Sequence, residues 1–412
     1  MWTLLREKNF RLLWAGQLSS QFGDRLTQLL LVALVAQRAA GSSFTLAKVM
    51  AATSLPALLV NPFAGAFVDR WDRKRTMIVC DLIRAGAILL LPAAAAARTQ
   101  IPLYLDVFLL FAVAAFFIPA RLAMIPDLVP PGKLAQANAL FSSSGMIGST
   151  FILLIGALLV EWIGVGRSAL VNAAAYVTSA CFILPIIRKG RHPAPPPPSK
   201  PAKGEESPRR ILVEIFEGVR ELWAHRSTRR IIWILGGLMA GAGGTMVAAT
   251  VLVQRWLGTV TKDIGFLSLW LGVGMLAGTL AHGRWGASRS KRVVLGLCFL
   301  GCGLSVWGFL AGVAMLHSGV AASVAAGVMG LFIAPVGIVT NTMVHEAHPE
   351  RLHGRIFSSL GVAVNVALIS SMLLAGWAGE RWGEGRFLSS VGAAFALAGI
   401  ALLYYGKRRS SR

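Results

Sequence analysis

Twelve stretches of about 20 mainly apolar residues, each long enough to cross a bilayer as a helix, account for most of this 412-residue chain. They fall at residues 12–36, 46–68, 77–97, 103–122, 139–163 and 169–187 in the first half. In the second half they fall at 231–253, 264–282, 293–316, 320–343, 356–378 and 387–405. Backbone inside hydrocarbon must satisfy its own hydrogen bonds, so runs of this kind are expected to be helical throughout. The expected fold class is an all-α membrane protein of twelve transmembrane helices. At 55% hydrophobic and 14% charged, the chain lacks the polar surface that a soluble protein of this length needs.

The net charge of +22, from 40 basic and 18 acidic residues, is informative through its distribution. With the N-terminus placed in the cytoplasm, 29 basic residues fall on that side, seven on the other, and four, Arg25, Lys48, Arg84 and Arg121, inside spans. Cytoplasmic loops are enriched in Lys and Arg, so both termini are expected in the cytoplasm, and no nucleic-acid partner is expected. The first apolar run has polar residues in its middle and no small-residue cleavage site, so no cleavable signal is expected. Cys80, Cys181, Cys298 and Cys302 lie in or beside spans without ligand-like neighbours and read as packing residues.

The middle of the chain changes character. Residues 188–210 carry a proline run expected to act as an extended spacer. Ile211, Leu212, Ile215, Phe216, Val219, Leu222 and Trp223 then recur at helical spacing opposite Glu214, Glu217 and Glu221, as in a helix lying at a membrane surface. The expected domains are residues 1–189 as a six-helix bundle, 190–228 as a cytoplasmic linker, and 229–412 as a second six-helix bundle. The halves echo one another: LAQANALFSSSG (134–145) returns loosely as LHGRIFSSLG (352–361), and Trp71 is matched by Trp285. Such a duplication predicts two pseudo-symmetric bundles with a site between them near the bilayer midplane.

Residues 65–75 read GAFVDRWDRKR, six charges between two spans, which places them at the water interface. This short basic turn, with a leading Gly and an acid at the helix end, resembles the signature loop of the major facilitator superfamily. SSQFGD (19–24), the same loop, CDLIRAG (80–86) and PARLAMIPDLVPPGKLAQANAL (119–140) together resemble the bacterial branch of macrolide and other drug exporters and the enterobactin exporter. The resemblance implies a secondary transporter of the bacterial inner membrane that exports a small amphipathic, drug- or siderophore-like compound by alternating access, driven by protons. That branch often carries a Gly-Pro pair in the fifth span, whereas residues 145–156 read GMIGSTFILLIG. Lysophospholipid transporters share a similar loop after their fourth span, so a lipid flippase is the alternative. SQFGDR also resembles the first span of ferroportin-type iron exporters, although a metal would need more ligands. Expected partners are the small-molecule substrate, protons and the lipid bilayer, with the chain acting as a monomer.

An ionisable side chain inside a bilayer is costly enough to mark function. Asp24 sits midway along the first span, and Gln17, Gln21, Asp24 and Gln28 recur on one helical face. That face is expected to line an interior cavity, because a polar stripe cannot face lipid. Burial disfavours a charged carboxylate, so Asp24 is the expected site of proton coupling or of a positive substrate group; a plain interhelical hydrogen bond is the structural alternative. Thr245, Asn341 and Asn365 are the expected cavity residues of the second half. Gly65, Asp69, Arg73, Arg121 and Asp127 are the expected cytoplasmic gate: Gly65 permits close helix approach and Asp69 takes a facing helix N-terminus and an Arg. Asp81 and Arg84, at i and i+3, are expected to pair. Aromatic Trp14, Phe108, Phe111, Phe116 and Phe117 offer a stacking surface or packing.

Other features argue for exclusion. His345, Glu346, His348 and His353 lack metallohydrolase spacing, so no metal site is expected. The Gly-rich run 236–245 lies inside a span and reads as a helix-packing surface. With no P-loop and no nucleophile–base set at recognisable spacing, neither a cofactor nor enzymatic catalysis is expected.

Overall fold

The structure, a computed structural model, describes residues 4–39, 41–187, 226–286, 289–347 and 350–410. The proline-rich spacer, the amphipathic stretch after it and His348 lie outside the described residues. Helices dominate, and no strand occurs among the described residues. The first half contains α1 (Lys8–Arg38), α2 (Ser43–Leu59), α3 (Asn61–Val68), α4 (Arg73–Ala96), α5 (Ile101–Leu128) and α6 (Leu134–Ile183). The second contains α7 (Arg226–Leu257), α8 (Lys262–Ala281), α9 (Lys291–Leu310), α10 (Gly319–Ala347), α11 (Glu350–Trp382) and α12 (Glu384–Ser410).

Nine helices among the described residues are long and apolar enough to span a membrane. Helix α6 makes two passes, and α1 and the α2–α3 pair supply the others, giving the twelve expected. Helix α1 is less apolar than these nine because Gln17, Ser19, Ser20, Gln21, Asp24 and Arg25 crowd its middle. Large apolar side chains such as Leu90, Leu105, Leu280 and Leu397 face outward, a distribution tolerable only against lipid.

Two passes depart from the expected geometry. The single run 46–68 is broken at Val60, where Pro62 in the first turn of α3 cannot donate a backbone hydrogen bond. The runs 139–163 and 169–187 are joined without a loop: Gly164 adopts φ 77° and ψ 172°, and α6 turns there directly. A side chain at that φ would be strained, so the reversal depends on glycine. The charged loop is structural at its far end, since the Asp72 carboxylate accepts the Arg75 N–H at 2.8 Å and caps α4.

The chain divides into two compact units. The first comprises residues 1–34, 52–152 and 162–216, and the second 35–51, 153–161 and 217–412. Leu13, Met77, Phe117, Met124 and Ile183 contribute to the core of the first unit. In the second, α8 packs on α10, α9 on α12 and α7 on α11. Small residues set these approaches: a Cβ on Gly274 would overlap the Gly327 carbonyl, and one on Gly303 would press on that of Gly392. In the Gly-rich run, Gly241 lies against Phe395 and Gly243 against the Leu368 carbonyl. Cys80, Cys298 and Cys302 are buried in packing positions, whereas Cys181 faces outward, and all four are free thiols.

Short pieces of the first half complete the second unit. The Glu161 carboxylate accepts the Thr261 N–H at 2.9 Å, at the start of α8, where the helix dipole favours an anion. Glu384, only 3% exposed, accepts the Ser43 hydroxyl and pairs with Arg255 at 2.8 Å. Arg255 also donates to the Gly41 carbonyl.

Candidate functional site

The first unit encloses a charged cluster built by α1, α4 and the second arm of α6. Helix periodicity brings Asp81 and Arg84 onto one face of α4, and the two pair as expected. Arg84 is 1% exposed and reaches further: its other guanidinium nitrogen donates to Asp24 Oδ1 at 2.8 Å. Ser20 bridges the group, accepting from Arg84 at 2.9 Å and donating to Asp81 at 3.1 Å. The guanidinium lies between the Phe117 and Tyr176 rings, 4.9 and 4.6 Å from their centroids. Such stacking suits a delocalised cation better than an ammonium.

Asp24 is placed differently from expectation. Its side chain is 40% exposed while Asp81 is fully buried, so burial is not the force acting on Asp24. Its positive partner is an internal arginine, and the Tyr176 hydroxyl donates to it at 3.0 Å. Behind it, Asn172 donates to Thr27 at 2.8 Å, and Thr27 lies 3.3 Å from the Tyr176 hydroxyl. Gly23 makes this possible: a Cβ there would stand 2.6 Å from the Tyr176 ring. Asn172 and Tyr176 are a turn apart on one face of a span, a polar pattern like that of α1, and that spacing was the signal available in the sequence.

The expected stripe on α1 splits. Gln17 and Gln21 line a cavity of about 350 Å³ with Arg121, Asn138, Phe141 and Ser142. Gln28 instead accepts from Arg25 at 3.2 Å on its own helix. Gln17 is 1% exposed, and neither its Nε2 nor its Oε1 has a partner among the described residues. Arg121 lies 5.6 Å from the Phe141 ring centroid, with Nε buried and unpartnered among those residues.

The five expected gate residues are not all brought together. Arg73 pairs with Asp127 at 3.2 Å and donates to the Ala123 carbonyl at 2.7 Å, joining α4 to α5. The Asp69 side chain is exposed and makes no ion pair among the described residues, and Arg121 belongs to the cavity. A Cβ on Gly65 would meet nothing within 4 Å among those residues, so the close approach expected there is absent. In the second unit, Thr245 has a buried hydroxyl without a partner among those residues. Asn341 is exposed, and Asn365 donates to the Gly361 carbonyl of its own helix at 2.9 Å. Among the aromatics, Phe117 is core and Phe116 packs on Trp71, while Trp14 donates to Ser144 at 3.1 Å.

A twelve-pass helical membrane protein with an ionisable cluster held inside one unit has the build of a secondary transporter. The chain belongs to the Major Facilitator Superfamily, whose sequence model matches residues 13–366. It is 24% identical to the uncharacterized MFS-type transporter YfiS of Bacillus subtilis over 97% of this chain and 92% of that one. It is 30% identical to the enterobactin exporter EntS of Shigella boydii over 83% of this chain and 77% of that one. Among solved structures, the nucleoside transporter NupG superposes with a TM-score of 0.76 at 12% identity, covering 96% of this chain and 99% of that one. The POT family transporter PepTSo superposes at 0.73 and 14% identity, covering 98% and 99%. At such low identity the structural likeness speaks for the fold alone.

Proposed function

We propose that the chain is a proton-coupled exporter of a small amphipathic compound, working as a monomer in the bacterial inner membrane with both termini in the cytoplasm. The observation that carries the coupling is that Asp24 and Asp81 share the single guanidinium of Arg84. With both acids ionised the cluster holds two negative charges against one positive. One proton brings it to neutrality, the state that a low-dielectric interior favours. Asp24 is the accessible member and Asp81 the sealed one, so the proton enters and leaves through Asp24, with Tyr176 holding its carboxylate in place. Export as the direction is supported by the similarity to EntS.

In this reading residues 1–189 and 229–412 are two six-helix bundles that alternate access around a central path, joined by the 190–228 linker. The Arg73–Asp127 pair stiffens the α4–α5 corner, and Asp69 acts as the gate when the halves change their arrangement. Gln17, Gln21, Gln28, Thr245, Asn341 and Asn365 are the polar contacts offered to cargo.

The test is accumulation in everted membrane vesicles energised by an imposed pH gradient. A macrolide, a catecholate siderophore and a lysophospholipid serve as cargo. Uptake of the macrolide or siderophore that collapses with a protonophore is the expected result. Uptake of the lysophospholipid alone, indifferent to the protonophore, would replace this reading by a lipid flippase.

A further inference from the structure

The cavity between α1, α5 and α6 holds more positive charge and more hydrogen-bond donors than its walls use. Arg121 is a permanent cation with five donors. Among the described residues it forms no ion pair, and its neighbour is the Phe141 ring, which holds the guanidinium without neutralising it. The acids that might have served are engaged elsewhere: Asp24 with Arg84 and Tyr176, and Asp127 with Arg73. Beside Arg121 stands the Gln17 amide, almost fully buried, with neither its Nε2 nor its Oε1 partnered among those residues, and next to it Gln21, whose Oε1 is unpartnered among them. Gly145 leaves room for them, since a Cβ there would lie 3.1 Å from Gln21 Nε2. A buried amide without partners and a half-buried cation without an ion pair, both among the described residues, are each unfavourable, and they meet at one point.

We propose that this cavity binds an oxyanion, a carboxylate or phosphate-type group on a small organic ligand. Arg121 supplies the charge-assisted hydrogen bonds, and the Gln17 amide nitrogen, unpartnered among the described residues, supplies a neutral donor. Its volume of about 350 Å³ suits the anionic end of such a molecule with a single ring attached. The inference deepens the exporter reading, on which it rests for the ligand being cargo. It assigns the cargo an acidic group.

Equilibrium binding to the purified full chain in detergent tests this without a gradient. Radiolabelled benzoate and phenyl phosphate are compared with benzamide, the neutral isostere of benzoate. We expect saturable binding of at least one anion, at least about tenfold tighter than benzamide, with the tighter anion identifying carboxylate or phosphate as the group recognised. Arg121→Gln should abolish that preference, and Arg121→Lys should keep part of it. Gln17→Leu, which removes an unsatisfied buried amide and so should fold, should weaken anion binding several-fold. Equal affinity for anions and benzamide, no saturable binding to about 10 mM, or an unchanged preference in Gln17→Leu and Arg121→Gln would overturn the proposal. The assay uses no gradient and reads no proton, so failure here leaves the proton-coupling reading standing, and failure of coupling leaves this one.

Discussion

Replacing Asp24 by Asn leaves Arg84 paired with Asp81, whereas replacing Asp81 leaves it with a partner that is 40% exposed. The two substitutions should therefore differ in stability. Asp81→Asn breaks a fully buried pair and is expected to cost about 3 kcal/mol. Asp24→Asn, at a more open position, should cost less than about 1 kcal/mol. Thermal unfolding of the purified variants measures both, and equal losses would show that the graded exposure of the two acids is not what governs them. At this scale only part of the site is legible in the sequence. Asp24 stands out as a charge in a span, and Asp81 and Arg84 as a helical pair. The join between them depends on how α1 rotates against α4, which no local spacing encodes.

Helix pairing in the second unit rests on glycines that let backbones meet. Gly274→Ala drives a methyl into the Gly327 carbonyl and should cost about 1–3 kcal/mol by overpacking. Gly337→Ala, where a Cβ meets nothing within 4 Å among the described residues, should be neutral or stabilising by up to about 1 kcal/mol through helix propensity. Denaturation in mixed micelles distinguishes the two; similar effects would remove close packing as the reason for the small residues. Apolar length alone makes most passes legible in the sequence. The exceptions have named causes. Pro62 splits the second pass, and Gly164 replaces a loop by one residue of positive φ. Gly65 and Asp69 make no gate contact among the described residues for a different reason: a motif fixes residue types at a loop, whereas which side chains meet depends on the arrangement adopted.

For the molecule as a whole, the asymmetry of basic residues predicts an orientation that reporter fusions read directly. Alkaline phosphatase joined at residues 41, 258 or 317 should be active, and a fluorescent cytoplasmic reporter joined at residue 200 or after residue 410 should light up. The opposite pattern would invert the topology and move the signature loop to the wrong face. Proton coupling through Asp24 predicts that one proton moves on this residue for each turn of transport. It is met most directly by proteoliposomes loaded with a pH-sensitive dye and given a gradient of whichever cargo the vesicle screen identifies. Wild-type protein should acidify or alkalinise the lumen in step with cargo, and Asp24→Asn should exchange cargo across the membrane while moving no protons. Proton movement in Asp24→Asn equal to that of the wild type would contradict the account.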